Sequence, residues 1–196
     1  MLKTHGFWYT ATSGIWQTVW LEAVDRCYIR EVKAVPDIDR GLFTLNTKLY
    51  CDEGYQLKLR VFDEGKEIIA REISTSEEIE LPDAKLWNVD TPFLYKCRVK
   101  AQNDVVSETF GIRELSWGEK GICINKERII IQGACVHHDN GLLGAVCDPD
   151  AIERKVRLMK ENGYNAIRSA HNPCSKVFLD ECDRQGMLVM DEYIDH

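Results

Sequence analysis

Polar side chains able to do chemistry gather in three short stretches of the second half of the chain, VHHDNG, RSAHNP and MDEY. Each stretch follows an apolar run, and together they carry the candidate binding residues His137, His138, Asp139, Arg168, His171, Asn172, Asp191 and Glu192. Imidazole, guanidinium, amide and carboxylate groups offer both hydrogen-bond donors and acceptors. If they converge, they suit a polyhydroxylated ligand, because each hydroxyl needs both kinds of partner.

The simpler interpretations of these residues involve no ligand. Asp139 could begin a turn with Asn140 and Gly141, and Arg168 could be a structural salt-bridge partner. A single histidine after a strand is also commonly a surface or capping residue. Agreement among three strand ends favours a site over these alternatives.

The elements around the three stretches alternate between strand and helix. Asp148 predicts a helix N-cap with Pro149 at the first helical position, and Gly186 predicts a helix end. The predicted elements are a small hairpin leading into a buried strand at 128–135, a helix at 150–162, a strand at 165–169, a helix at 175–185 and a strand at 188–192. Helical crossovers imply parallel strands, whose carboxyl ends meet at one rim where barrel enzymes carry their sites.

A sheet of only three parallel strands leaves a long edge and one face uncovered. The 196 residues are also too few for a complete (β/α)8 barrel of about 250 residues. We therefore expect an incomplete barrel, the opening of a longer one, and self-association of the isolated chain through it.

The first half of the chain predicts short antiparallel strands separated by Pro, Asp and Gly turns. The predicted strands are 14–24, 27–35, 42–51, 55–63, 66–73 and 93–102. Strands at this spacing are typical of a β-sandwich of immunoglobulin-like size. The expected fold class is therefore multidomain, a β-sandwich followed by an incomplete α/β barrel.

Composition and charge exclude several classes of partner. The chain is 44% hydrophobic and 29% charged, with a net charge of −7, so an acidic surface repels nucleic acid and anionic membranes. No apolar run approaches the roughly 20 residues that cross a bilayer, and the first residues lack the order of a signal peptide. We expect neither nucleic acid nor membrane as a partner, and localisation stays open.

The chain has eight cysteines but no C-x-x-C motif, and most of them lie in apolar stretches. We therefore predict buried free thiols rather than a disulfide framework. Some of these cysteines could instead bind zinc together with nearby polar residues. The candidate ligands are Cys135, His137, His138, Asp139, His171 and Cys174. No pair among them has the close spacing of structural zinc ligands, so we predict no metal site.

Six segments, in this order and spacing, resemble glycoside hydrolase family 2, the family of β-galactosidase, β-glucuronidase and β-mannosidase. They are SGIWQTVWLE (13–22), LWNVDTPFLYKCRV (86–99), FGIRE (110–114), IQGACVHHDNGLLGAV (131–146), LMKENGYNAIRSAHNP (158–173) and DRQGMLVMDEY (183–193). The resemblance implies the end of a jelly roll at 1–24, an immunoglobulin-like sandwich at 25–113 and the first three βα units of a TIM barrel at 114–196. One departure is Asn125-Lys126, where an Asn-Gly turn is usual.

The resemblance also implies roles for the polar residues. The family's substrate-pocket residues fall on His137, Arg168 and His171, with Asn172 alongside and Asp191-Glu192 after the third strand. HHDNGLLG and RSAHNP look most like β-galactosidase-like members, so the implied substrate is a terminal β-galactoside hydrolysed with retention. No cofactor is implied in this chain, although a full-length enzyme could bind Mg²⁺ or Na⁺.

The catalytic carboxylates of a retaining glycosidase are an acid/base and a nucleophile about 5 Å apart. In this family the acid/base lies in an Asn-Glu pair of a later strand, and no Asn-Glu occurs in the sequence. The resemblance therefore implies a fragment without catalytic residues and without activity of its own. The alternative is a non-catalytic carbohydrate-binding or interaction module built on the sandwich.

Overall fold

The computed structural model describes residues 14–15, 17–51, 56–119 and 121–193. The chain divides into two compact units, one at Glu22–Ile129 and one containing the described residues from Ile130 onward. In all the described residues, no helix has the length and apolar character that crossing a membrane requires.

The larger part of the first unit is a sandwich of seven strands in two antiparallel sheets. They are β1 (Tyr28–Asp37), β2 (Leu42–Tyr50), β3 (Leu57–Asp63), β4 (Lys66–Ile73), β5 (Ser76–Glu80), β6 (Tyr95–Ala101) and β7 (Asp104–Phe110). One sheet has the order β1-β2-β5 and the other β4-β3-β6-β7. Alternating side chains from both sheets form one core, and its fully buried members include Phe43, Leu45, Leu59, Val61 and Val99. This arrangement confirms the predicted sandwich.

Two of these strands, β5 and β7, were not predicted, because charged residues dilute the apolar alternation that reveals a strand. In β5, SEEIE, only Ile79 is buried. β7, DVVSETF, alternates between half-buried and exposed residues, as an edge strand paired only with β6 does.

The predicted strand at 14–24 is wrong for its described residues, 14–15 and 17–24, which contain no strand. Ile15, Val19, Trp20 and Leu21 are all exposed. Their alternation is strand-like, but none of the described strands pairs with this segment.

The prediction that all cysteines are free is also wrong. Cys27 and Cys51 form a disulfide with their Cα atoms 4.5 Å apart. Register explains the pairing, because Tyr28 of β1 lies opposite Tyr50 of β2 and the two cysteines are the next residues outward. The other six cysteines have free thiols.

A small antiparallel sheet of β8 (Leu115–Gly118), β9 (Gly121–Ile124) and β10 (Glu127–Arg128) completes this unit, and β9 and β10 form a hairpin. Asn125 and Lys126 form its turn with φ of 50° and 71°, the left-handed geometry of a type I′ turn. The Asn125 side chain accepts a hydrogen bond from the Glu114 amide and donates one to the Trp87 carbonyl, both at 2.9 Å. The turn therefore forms without the usual glycine.

The second unit contains a parallel sheet of β11 (Gly133–Val136), β12 (Ala166–Ser169) and β13 (Leu188–Met190), in that order. Helix α1 (Pro149–Glu161) connects β11 to β12, and α2 (Lys176–Gln185) connects β12 to β13. The Asp148 carboxylate caps α1 as predicted, accepting from the Ala151 amide at 3.0 Å, and Gly186 ends α2 at φ 75°. The helices and strands share a core of Ile152, Val156, Ile167, Phe178, Cys182 and Met187.

The buried strand predicted at 128–135 is wrong in its extent. Parallel pairing with β12 begins only at Gly133, and Ile130 and Ile131 are exposed. The Asn165 side chain binds the Ile130 carbonyl and the Gln132 amide, each at 2.8 Å. A side chain thus makes the hydrogen bonds that a neighbouring strand would otherwise make.

Candidate functional site

The register of the parallel sheet places Cys135, Arg168 and Met190 side by side across β11, β12 and β13. Their chain neighbours Val136, Ile167 and Val189 pack into the core beneath the helices. Because successive side chains of a strand point to opposite faces, Arg168 lies on the face turned away from α1 and α2. The carboxyl ends of the strands on this face form the candidate site.

The Glu192 carboxylate joins two of the predicted site residues. Its Oε1 forms an ion pair with Arg168 Nε, and its Oε2 lies 3.1 Å from His171 Nδ1. The His171 ring in turn packs edge-to-face on the His137 ring, with centroids 5.8 Å apart. His137, Arg168, His171 and Glu192, which come from the ends of three strands, are therefore one cluster.

Cys135 is part of this cluster, although the sequence indicated it only as a zinc candidate. Arg168 Nη1 donates to Cys135 Sγ at 3.3 Å. This hydrogen bond, with the negative charge of Glu192, raises the pKa of Arg168 above its ordinary value. The guanidinium is thus held from two sides and remains a fixed positive charge.

Asp191 and Asn172 support the loop that carries His171. Asp191 Oδ1 accepts from the Cys174 amide at 2.8 Å, and the Asn172 carbonyl accepts from the Ser169 hydroxyl. The peptide between Ala170 and His171 is cis. Adjacent residues Asp191 and Glu192 therefore bind different partners, the loop backbone and the Arg168–His171 pair.

His138 and Asp139 lie after β11 in a different setting. Asp139 Oδ1 accepts from the Gly141 amide at 2.9 Å, which is the turn given above as its simpler interpretation. His138 lines a small pocket behind the strand ends, with Lys155, Ser169 and Cys174. Burial, the charge of His137 and the charge of Lys155 lower the pKa of His138.

Lys155 is a residue of this region that sequence analysis missed. It lies on α1 between the buried Ile152 and Val156, and its Nζ donates to the carbonyls of Asp139 at 3.0 Å and His137 at 3.4 Å. The available signal was a charged residue on the apolar face of an amphipathic helix, one residue before Val156.

The donor set does not fit a metal ion. Within residues 14–15, 17–51, 56–119 and 121–193, no three His, Cys, Asp or Glu side chains are grouped as ligands around one point. The nearest polar neighbours of Glu192 are a guanidinium and an imidazole instead.

Comparison with known proteins gave consistent results over nearly the whole chain. A model described as "Glycosyl hydrolases family 2" matches residues 27–113, and one described as "Glycosyl hydrolases family 2, TIM barrel domain" matches 117–194. A β-galactosidase of Bacteroides ovatus is 31% identical over 96% of this chain and 25% of its own length. These matches confirm the predicted fold class of a sandwich followed by part of a TIM barrel.

Solved structures agree. A glycosyl hydrolase family 2 member from Bacteroides cellulosilyticus superimposes with a TM-score of 0.83 at 31% identity, over 95% of this chain and 29% of that one. The β-glucuronidase of Faecalibacterium prausnitzii gives a TM-score of 0.79 at 30% identity, over 86% of this chain and 28% of that one. The chain thus spans about a quarter of the length of these relatives.

Proposed function

We propose that this chain, which belongs to glycoside hydrolase family 2, supplies part of the sugar-binding site of a retaining exo-β-glycosidase. The observation that carries the proposal is the cluster of His137, Arg168, His171 and Glu192 at the carboxyl ends of three parallel strands. Relatives that the chain resembles are β-galactosidases and β-glucuronidases.

The proposed roles follow from the chemistry of the cluster. His137 and His171 bind sugar hydroxyls, and these hydrogen bonds strengthen as positive charge develops on the sugar ring. Arg168, a fixed cation, orients a catalytic carboxylate and stabilises its charge. Glu192 holds Arg168 and His171 in place through its two oxygens.

The proposed substrate is a terminal β-galactoside rather than a β-glucuronide. A glucuronide carries a carboxylate, which a binding site matches with a free cation. Among the described residues of the cluster Arg168 is the permanent cation, and its proposed partners are already two carboxylates, that of Glu192 and a catalytic one. Lys155 donates to two backbone carbonyls. A neutral sugar therefore suits these residues better.

Both catalytic carboxylates are proposed to come from parts of the protein outside these residues. Asp191 and Glu192 bind different partners, the Cys174 amide and the Arg168–His171 pair. They do not form the facing pair, about 5 Å apart, that a retaining mechanism needs. The 196-residue chain by itself is expected to hydrolyse neither substrate.

The test compares nitrophenyl β-galactoside with nitrophenyl β-glucuronide, using the product of the complete reading frame and the 196-residue chain. We expect the complete product to prefer the galactoside and to lose about 10²-fold or more in kcat/KM on His171→Ala. The control is Lys176→Ala, which removes an exposed ion pair with Asp180 on α2 and should leave kcat/KM unchanged. A preference for the glucuronide would overturn the substrate, and turnover by the chain alone would overturn the assignment of catalysis elsewhere.

A further inference from the structure

Lys155 is a charged side chain in an apolar setting. It occupies the face of α1 that carries Ile152 and Val156 into the core, and it lines the same pocket as Phe178. Burial lowers the pKa of its ammonium, while Asp139 and Cys147 act in the opposite direction. A methionine of similar length would fill this space without the cost of removing a charge from water.

The partners of the ammonium are two carbonyls of one loop, those of His137 and Asp139. They bracket the segment that leads from β11 into the loop. Asp139 is fixed a second time through its side chain, which accepts from the Gly141 amide. The loop backbone is thus bound on the helix side by Lys155 and on the far side by its own turn.

This fixed backbone determines where the His137 ring lies. The ring contacts His171 edge-to-face, and His171 is held by Glu192. The His137 imidazole is attached to the backbone whose carbonyl Lys155 binds, so the position of the ring depends on the position of that backbone. A shift of that backbone by a fraction of an ångström would move the imidazole relative to His171.

We infer that Lys155 is a positioning residue, which holds the His137–Asp139 backbone from beneath and so orients the His137 imidazole in the sugar site. The effect of this orientation on catalysis rests on the proposed function. The orientation itself can be measured without an activity assay.

The experiment uses Lys155→Met, Lys155→Arg and the exposed control Lys176→Met in the product of the complete reading frame. For Lys155→Met we expect a loss of about 10- to 100-fold in kcat/KM on nitrophenyl β-galactoside, mostly in kcat. Lys155→Arg restores the donor and should recover most of the loss, whereas Lys176→Met should equal wild type. Thermal unfolding distinguishes a loss of positioning from a loss of stability, because Lys155→Met should keep or raise the Tm while activity falls.

Two further measurements test whether Lys155 affects activity through His137. If Lys155 acts through His137, the double variant His137→Ala/Lys155→Met should be no worse than His137→Ala alone. In the 196-residue chain with labelled histidine, the ring resonances of His137 should shift in Lys155→Met and not in Lys176→Met.

The outcomes are distinct. Unchanged His137 resonances in Lys155→Met, or additive losses in the double variant, would overturn the positioning role. A wild-type protein that hydrolyses no β-glycoside would overturn the proposed function, and the resonances would still decide the role of Lys155.

Discussion

Arg168 and Glu192 form an ion pair between the end of β12 and the segment after β13, and the same carboxylate holds His171. The pair joins neighbouring strand ends on the face turned away from the helices. Glu192 therefore links Arg168, proposed to orient a catalytic carboxylate, with His171, proposed to bind a sugar hydroxyl.

Replacing Glu192 by Gln should disturb this arrangement without changing its size. The amide still occupies the space, but it removes the negative charge opposite Arg168 and offers only one acceptor for two partners. In the product of the complete reading frame we expect kcat/KM on nitrophenyl β-galactoside to fall about 10²-fold, as for a misplaced site residue. Glu153→Gln, which removes an exposed pair with Arg157 on α1, should have no effect.

An equal effect of these two variants would contradict the role assigned to Glu192. The crystal structure of Glu192→Gln offers an independent check, because Arg168 should leave its present position while Cys135 stays in place.

The Cys27–Cys51 disulfide should be visible as missing thiols. Titration of the oxidised protein in denaturant without reductant is expected to give six sulfhydryls, the free cysteines of the structure. A result of eight would contradict the bond.

In the native protein at mildly alkaline pH, exposed Cys135 should react faster than Cys97, because burial raises the pKa of Cys97 to about 11.

The same disulfide should stabilise the sandwich. It closes a loop with a sequence separation of 24 residues, for which the chain-entropy model gives about 3.5 kcal/mol. Cys27→Ser/Cys51→Ser should lower the free energy of unfolding in urea by about that amount. The matched control is the reduced wild type, which should unfold like the double variant. Equal stability of oxidised and reduced protein would argue against this contribution.

The helices and the strand ends could be predicted from the sequence because their signals are local. Asp148 with Pro149 and Gly186 are end signals that need no tertiary contact, and the structure confirms them. The three polar stretches were predictable for the same reason, since each follows a short apolar run.

What could not be predicted depends on pairing between distant residues. The disulfide follows from the register of β1 and β2, and the short extent of β11 follows from Asn165, a side chain that lies far along the chain. Lys155 was missed because a lysine in a helix is ordinarily a solvent-exposed residue. Its role depends on its hydrogen bonds to the carbonyls of His137 and Asp139, which only the folded structure shows.

Lys126 offers a stabilising substitution at the hairpin turn. Its φ of 71° is costly for a residue with a side chain, and glycine adopts it freely. Lys126→Gly should therefore raise the free energy of unfolding by about 0.5 kcal/mol, although glycine also gains freedom in the unfolded chain. The lost ion pair with Asp39 is exposed and contributes little.

Two variants control for this interpretation. Lys126→Ala loses the ion pair and keeps the left-handed backbone, so it should not be stabilised. Asn125→Gly loses the hydrogen bonds to Glu114 and Trp87 and should be destabilised. A gain for Lys126→Ala equal to that of Lys126→Gly would show that backbone conformation is not the cause.

His138 should make the stability of the second unit depend on pH. Burial and the nearby charges of His137 and Lys155 lower its pKa in the folded chain. Between that lowered value and the ordinary value of about 6.5 the unfolded chain binds the additional proton, so stability falls as the pH falls through this window. His138→Asn removes the titrating group, and its free energy of unfolding should decline less than that of wild type between about pH 7.5 and about pH 5. Urea unfolding at several pH values, followed by histidine resonances of the second unit, measures the difference. Parallel pH profiles for the two proteins would contradict a lowered pKa at His138.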